Sequence, residues 1–377
     1  MKKFDSIRPY ADAEVQAVLS RLINDKDVIK AFIAASKYKG ISKYPLSSIF
    51  IKRILKKKIQ DIQSVKEYQS IFESLVKEMI ETKTSGFVCN GFSNLKKNES
   101  YLFISNHRDI AIDPALLNFV LHSNDHKTTN IAVGNNLMSE KWASDLMRLN
   151  KSFIIDRTGK SKREIYQGLH LASEYIEDSL LKKNDSIWIA QKQGRAKDGI
   201  DETDPALLKM IHLANRKSIS ICDYFNSLNF IPIAVSYEFD PNDAYKAKEV
   251  YAKKTNQEYT KSHREDLESI ANGIAGQKGL IELNIGKTIK FNEESYNACA
   301  QLITNSIHKL YKLLPSNFAA CDIQKIPYSI EHDFSAEQIN SAKNTLNERA
   351  EGIEPEIRAL LFQQYSNPVI EKEKAIT

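Results

Sequence analysis

Phe103-Ile104-Ser105-Asn106-His107-Arg108-Asp109-Ile110-Ala111-Ile112-Asp113-Pro114 is the stretch on which the reading of this chain turns. The apolar run before Asn106 reads as a buried strand. Asp113-Pro114 reads as a helix start, with a capping carboxylate followed by a proline whose missing N–H costs nothing in the first turn. Strand, short turn and helix in that order is the unit of an α/β sheet, and the end of such a strand is where these folds place ligands. A neutral imidazole there can take a proton from a hydroxyl, and a carboxylate on its other nitrogen would fix the tautomer. His107 and Asp113 are six residues apart and would not face each other on one continuous helix. Their pairing therefore requires an irregular turn, and Asp109 stands as the nearer candidate carboxylate. The plain alternative is a half-buried histidine beside an ordinary helix cap.

Working outward, short apolar runs recur at 101–105, 130–133, 152–155, 186–191, 230–237 and 280–283. Amphipathic helical patterns separate them, notably at 114–121, 139–149 and 160–180. This alternation predicts an α/β fold: a mixed, largely parallel sheet flanked by helices. Residues 1–82 read as an N-terminal helical region, punctuated by Lys39-Gly40 and Tyr44-Pro45. Residues 83–330 read as the α/β domain, and 331–377 as C-terminal helices with a charged, loose tail from Pro368. Gly273, Gly276 and Gly279 read as turn residues before a strand.

The 42% apolar and 27% charged residues fit an ordinary globular protein, and 377 residues suffice for one large domain with additions or for two. A net charge of +5 suits an acidic small molecule or an anionic membrane surface without requiring nucleic acid. Cys89, Cys222, Cys299 and Cys321 are too scattered for a zinc ribbon or a dense disulfide framework, so no metal is expected. Met1-Lys2-Lys3-Phe4 has a positive start but no apolar stretch after it, and no apolar run approaches a bilayer span. The expectation is a reduced, cytoplasmic protein. In the segment 46–62, Leu46, Ile49, Phe50, Ile54, Leu55, Ile59 and Ile62 form a stripe opposite Lys52, Arg53, Lys56, Lys57 and Lys58. That pattern fits a core helix with a solvated lysine face, or a helix lying on an anionic bilayer.

Several attractive motifs fail. His107-Arg108-Asp109 mimics a protein-kinase catalytic loop, but the required Asn is Pro114. Gly159-Lys160-Ser161 and Gly286-Lys287-Thr288 end like P-loops, but the first glycine of each is replaced by Ile154 or Ile281. No Gly-x-Ser-x-Gly elbow exists.

Four ordered blocks resemble the glycerolipid acyltransferases, which acylate glycerol 3-phosphate or 1-acylglycerol 3-phosphate. The first is Asn106-His107 to Asp113, one residue longer than that family's His-(four residues)-Asp. The second is Phe153-Ile154-Ile155-Asp156-Arg157. The third, Gln193-Gly194-Arg195 after the strand at 187–190, is similar to Glu-Gly-Thr-Arg. The fourth is Pro232 within Ile231-Pro232-Ile233-Ala234-Val235. The match covers roughly residues 85–290.

The resemblance implies a general base, His107, with Asp113 or Asp109 as its partner. It implies an acceptor held by Arg157 and Arg195, with Lys192, Gln193, Gly194, Lys197 and Pro232 in or beside the substrate site. It also implies oxyanion donors among the N–H groups at the start of the helix opened by Pro114. Acyl-CoA or acyl-ACP would be the donor substrate, with no separate cofactor, and the enzyme would work peripherally at the inner membrane face. A different lipid acceptor, such as a lyso-ornithine lipid, and a non-catalytic lipid- or carrier-binding module are the competing readings.

Overall fold

In a computed structural model of the chain, the described residues are 3–29, 47–135, 140–255 and 265–376. Lys39-Gly40, Tyr44-Pro45, Leu46 and Ser139 lie outside them, as do the side chains of Ile49 and Phe50. The chain divides into two compact units, Met1–Leu75 with Asn130–Tyr175, and Val76–Thr129 with Ile176–Thr377.

In the first unit, the helix Asp12–Leu22 places Val15, Val18, Leu19 and Leu22 on one face. That helical spacing buries them against Ile62, Tyr68 and Leu149, with Ile59 at the margin. Ile59 ends the helix Ser47–Ile59, whose Lys56, Lys57 and Lys58 are exposed. A two-bond fork from Arg21 to Asp145, at 2.6 and 2.7 Å, ties the first helix to Lys141–Leu149. Strands β3 (Asn130–Gly134) and β4 (Ser152–Ile155) pair in parallel.

In the second unit, β1 (Gly86–Asn90), β2 (Leu102–Ser105), β5 (Ile187–Ala190), β6 (Phe230–Tyr237) and β7 (Leu280–Ile285) lie in the order β1-β7-β6-β2-β5. All neighbours are parallel except β6 and β7. The fold is therefore α/β with a mixed, mostly parallel sheet. β2 and all eight residues of β6 are buried, which explains their unbroken apolar runs. β1 is an edge strand with exposed positions, and it left no such run.

Pro232 sits inside the central strand β6, opposite Ile104 of β2. The ladder to β7 begins one residue later, at Ile233 and Ile285, so the absent proline N–H falls where that ladder starts. Its carbonyl still accepts the N–H of Gly286 at 2.9 Å.

Two expectations are corrected. Gly276 and Gly279 precede β7, but Gly273 lies within the helix Glu265–Ala275. The tail from Pro368 is not loose: it continues the helix Pro355–Ile376, burying Val369 and seating Lys372 Nζ on the carbonyl of Tyr311 at 2.5 Å. Pro368 deprives the carbonyl of Gln364 of its helical donor. The bare Cα of Gly199 packs on that carbonyl: a Cβ there would stand 2.1 Å from the oxygen, and its φ of +81° also favours glycine. A kink signal thus marks a docking point. No helix among the described residues is long and apolar enough to cross a membrane.

Candidate active site

The site lies at the end of β2, in the second unit. Its first element is Asn106, fully buried, whose amide accepts from Val235 N at 2.8 Å and donates to Val235 O at 3.0 Å. The β2–β6 ladder has ended at Ser105 and Ile233, so the side chain of Asn106 continues it where the main chain turns away. Its remaining donor reaches Asp201 Oδ2 at 3.2 Å.

The turn that follows winds around Asp113. Asp113 Oδ2 accepts the backbone N–H groups of Arg108 (2.7 Å) and Asp109 (3.0 Å), and faces His107 Nδ1 at 2.9 Å. Its Oδ1 accepts the hydroxyl of Tyr237, the last residue of β6, at 2.7 Å. Asp113 is fully buried and meets only donors, which is the environment of a carboxylate. Nδ1 of His107 therefore carries the proton and donates. Nε2 keeps the lone pair and makes no hydrogen bond among the described residues. The ring is 14% exposed and stands edge-on to Trp188, with centroids 5.5 Å apart.

Asp109 has a different task. Its Oδ1 accepts from Ala111 N (3.0 Å) and Ile112 N (2.9 Å), capping the helix Ile112–Ser123. Of the two candidate carboxylates, Asp113 meets the imidazole and Asp109 is the cap. The reading of Asp113 as the N-cap is thus corrected: it is the second residue of the helix, and Pro114 the third. The oxyanion expectation changes too, since Asp109 and Asp113 already hold the N–H groups of Arg108, Asp109, Ala111 and Ile112. Burial, and then the charge of Asp113, pushes the Asp109 carboxyl above its usual range.

Arg108, inside the lengthened first block, sits in a buried ionic network. Arg108 is 8% exposed and donates to Asp201 Oδ2 (2.5 Å) and to the carbonyl of Gly199 (3.2 Å). Its own carbonyl accepts from Lys246 Nζ at 2.7 Å, and Lys246 pairs with Asp240. Burial pulls the Lys246 ammonium down. Burial pushes Asp240 up, but Lys246 outweighs it and holds that carboxyl below its usual range. The C-terminal helices join in: Arg349 donates to Asp243 and to the carbonyl of Asp240, and Tyr365 OH to Asp243.

The third block lies beside the first. Ala196 N donates to the carbonyl of His107 at 2.8 Å, binding the loop after β5 to the turn after β2. Arg195 donates to Ser269 Oγ at 2.6 Å. It lines a shallow, solvent-connected cleft with Tyr245, Lys246, Glu249, Glu265 and Ser269, whose enclosed volume is only about 10 Å³. Lys192 is engaged by the carbonyl of Ile200 (3.0 Å), and Lys197 by Glu249. Gln193 and Gly194 are exposed, and Gly194 has a φ of +77°. Arg157 belongs to the other unit, where it follows β4 in a loop organised by Asp156, whose Oδ1 accepts from Asn135 and from Thr158.

Tyr237, Asp201 and Lys246 were missed by the sequence reading. They sit 124, 93 and 138 residues from their partners in the first block, so no local spacing signals them.

Residues 86–199 match the model of the Acyltransferase family. No curated protein matches the chain. Among solved structures, the 1-acyl-sn-glycerophosphate acyltransferase PlsC from Thermotoga maritima is similar at 12% identity, over 78% of this chain and 95% of that one, with a TM-score of 0.39. The matched segment 86–199 carries the His107–Asp113 pair and Arg195.

Proposed function

We propose that this chain transfers a fatty acyl group from acyl-CoA or acyl-ACP to the hydroxyl of glycerol 3-phosphate or 1-acylglycerol 3-phosphate. The observation that carries the reading is the contact of His107 Nδ1 with Asp113, which leaves Nε2 as a base of defined tautomer at a partly open position. The acceptor oxygen attacks the thioester carbonyl as Nε2 takes its proton, forming the new C–O bond. The C–S bond then breaks, and the imidazolium returns the proton to the departing thiolate. The acceptor itself is the nucleophile, so the reaction needs neither an enzyme nucleophile nor a cofactor.

Arg195 supports the choice of acceptor. It is a planar, permanently charged donor in an open cleft, and its neighbour Ala196 holds the backbone of His107. A lipid acceptor would bring the enzyme to a membrane surface, to which the net charge of +5 is suited. Glu265, in the same cleft as Arg195, favours a second reading in which the acceptor carries an amine, such as a lyso-ornithine lipid.

The test is a panel of acceptors incubated with labelled acyl-CoA or acyl-ACP. Thioester consumption that depends on glycerol 3-phosphate or its monoacyl form supports the first reading. Consumption that depends only on an amino-acid lipid replaces it with the second. No consumption with any acceptor removes both and leaves a binding module.

A further inference from the structure

We propose that Tyr237 is a positioning residue that sets the basicity of the His107–Asp113 pair, acting through Asp113. The proposal goes beyond the assignment of His107 as general base and rests on it.

Three of the donors on Asp113 come from its own turn: Arg108 N, Asp109 N and His107 Nδ1, all on Oδ2. The hydroxyl of Tyr237 is different. It arrives from the end of another strand, meets the opposite oxygen at 2.7 Å and is itself buried. A phenol on an ionised carboxylate makes a short, charge-assisted bond. That bond has two consequences. It holds the plane of the carboxylate, and so the direction of the bond to Nδ1. It also draws charge from the carboxylate, so the imidazolium formed during proton transfer is held less tightly and returns its proton more readily.

The charged groups around the pair are Arg108 and Asp109 in the turn, Asp201 on Arg108, Asp240 and Lys246 after β6, and Lys278 before β7. All of them are retained in Tyr237→Phe. Removing the hydroxyl therefore deletes one hydrogen bond while every surrounding charged side chain stays in place.

The experiment compares Tyr237→Phe with site-specific incorporation of 3-fluorotyrosine at position 237, which keeps the ring and strengthens the donor. The readouts are the pH profile of acyl transfer and the pH at which the His107 ring signals titrate by NMR. In Tyr237→Phe, kcat should fall about tenfold, the share expected of one hydrogen bond to a charged group, with the acceptor KM little changed. The acid limb of the profile should move to higher pH, because the pair has become more basic. The fluorinated protein should move the same limb to lower pH while melting at the wild-type temperature.

An acid limb and a ring titration unmoved in both proteins would overturn the proposal, as would a loss in Tyr237→Phe carried wholly by KM or by the unfolded fraction. Full activity in His107→Ala would instead overturn the assignment of the base. An inactive His107→Ala alongside unmoved limbs in the Tyr237 variants would remove the role of Tyr237 alone.

Discussion

The bare Cα of Gly273 lies against the carboxylate of Asp109: a Cβ at this position would stand 2.1 Å from Oδ2. Gly273 is inside a helix, where replacement by alanine ordinarily gains up to about 1 kcal/mol. Here the sign should reverse. Gly273→Ala must displace a buried carboxylate that caps the helix after His107, and a loss of about 2 kcal/mol is expected by denaturant unfolding. Acyl transfer should fall with it, since the displaced cap carries the turn around Asp113. A stabilised, fully active Gly273→Ala would show that the close approach is of no consequence.

Asp109 and Asp113 should separate under substitution. Asp113→Asn replaces an acceptor of four donors and leaves the imidazole without its charged partner. Acyl transfer should drop on the order of 10²–10⁴-fold in folded protein. Asp109→Asn keeps an acceptor for Ala111 N and Ile112 N, so it should cost about 1 kcal/mol or less in stability and retain activity within about tenfold. Circular dichroism and steady-state rates on the two variants make the comparison. Equal losses of rate in both would remove the distinction.

Lys278 predicts a pH dependence of stability. Its ammonium is fully buried, and burial lowers its pKa to about 8 against the attraction of Asp109. Between about pH 8 and its ordinary value of 10.5, the unfolded chain binds a proton there that the folded chain has released. Unfolding then takes up a proton, so this group makes stability rise with pH across that window, by up to about 3 kcal/mol. Lys278→Met should lose this rise relative to wild type while gaining stability below pH 8. Urea titrations of both proteins at pH 7.5 and 10 read the difference, and parallel changes in the two would contradict it.

The parts of this fold that were legible in the sequence are those whose cause is local. The strand at 101–105, the helix opened near Pro114 and the fully buried strand at 230–237 each announce themselves within a dozen residues. β1 did not, because an edge strand with exposed positions such as Val88 carries no apolar run. The tail misled because Pro368 is a helix breaker in isolation, while here the Gln364 carbonyl, which Pro368 leaves without its i+4 donor, meets Gly199. The choice between Asp109 and Asp113 was open for a related reason. Spacing alone cannot say that the backbone N–H groups of Arg108 and Asp109 turn onto the later carboxylate. Tyr237, Asp201 and Lys246 reach the site by tertiary approach only.

Arg195 should act on binding more than on rate. Its guanidinium donates to Ser269 Oγ and lines the cleft, and among the described residues no hydrogen bond or ion pair joins it to the His107–Asp113 pair. Arg195→Gln should raise the KM for a phosphorylated acceptor by about 10–100-fold, the cost of a lost charged hydrogen bond, with kcat within a few-fold. Acceptor titrations at saturating donor measure this. An unchanged KM would move the phosphate site away from the cleft.

In the proposed reaction, Nε2 of His107 takes the proton of the acceptor hydroxyl. Single-turnover cleavage of a labelled acyl thioester, with and without acceptor, in wild type and in His107→Ala, tests it most directly. Acyl transfer should be rapid and acceptor-dependent in wild type, and at least about 10²-fold slower in a His107→Ala protein that melts normally and still binds acceptor. Acyl transfer at the wild-type rate in that variant would contradict it.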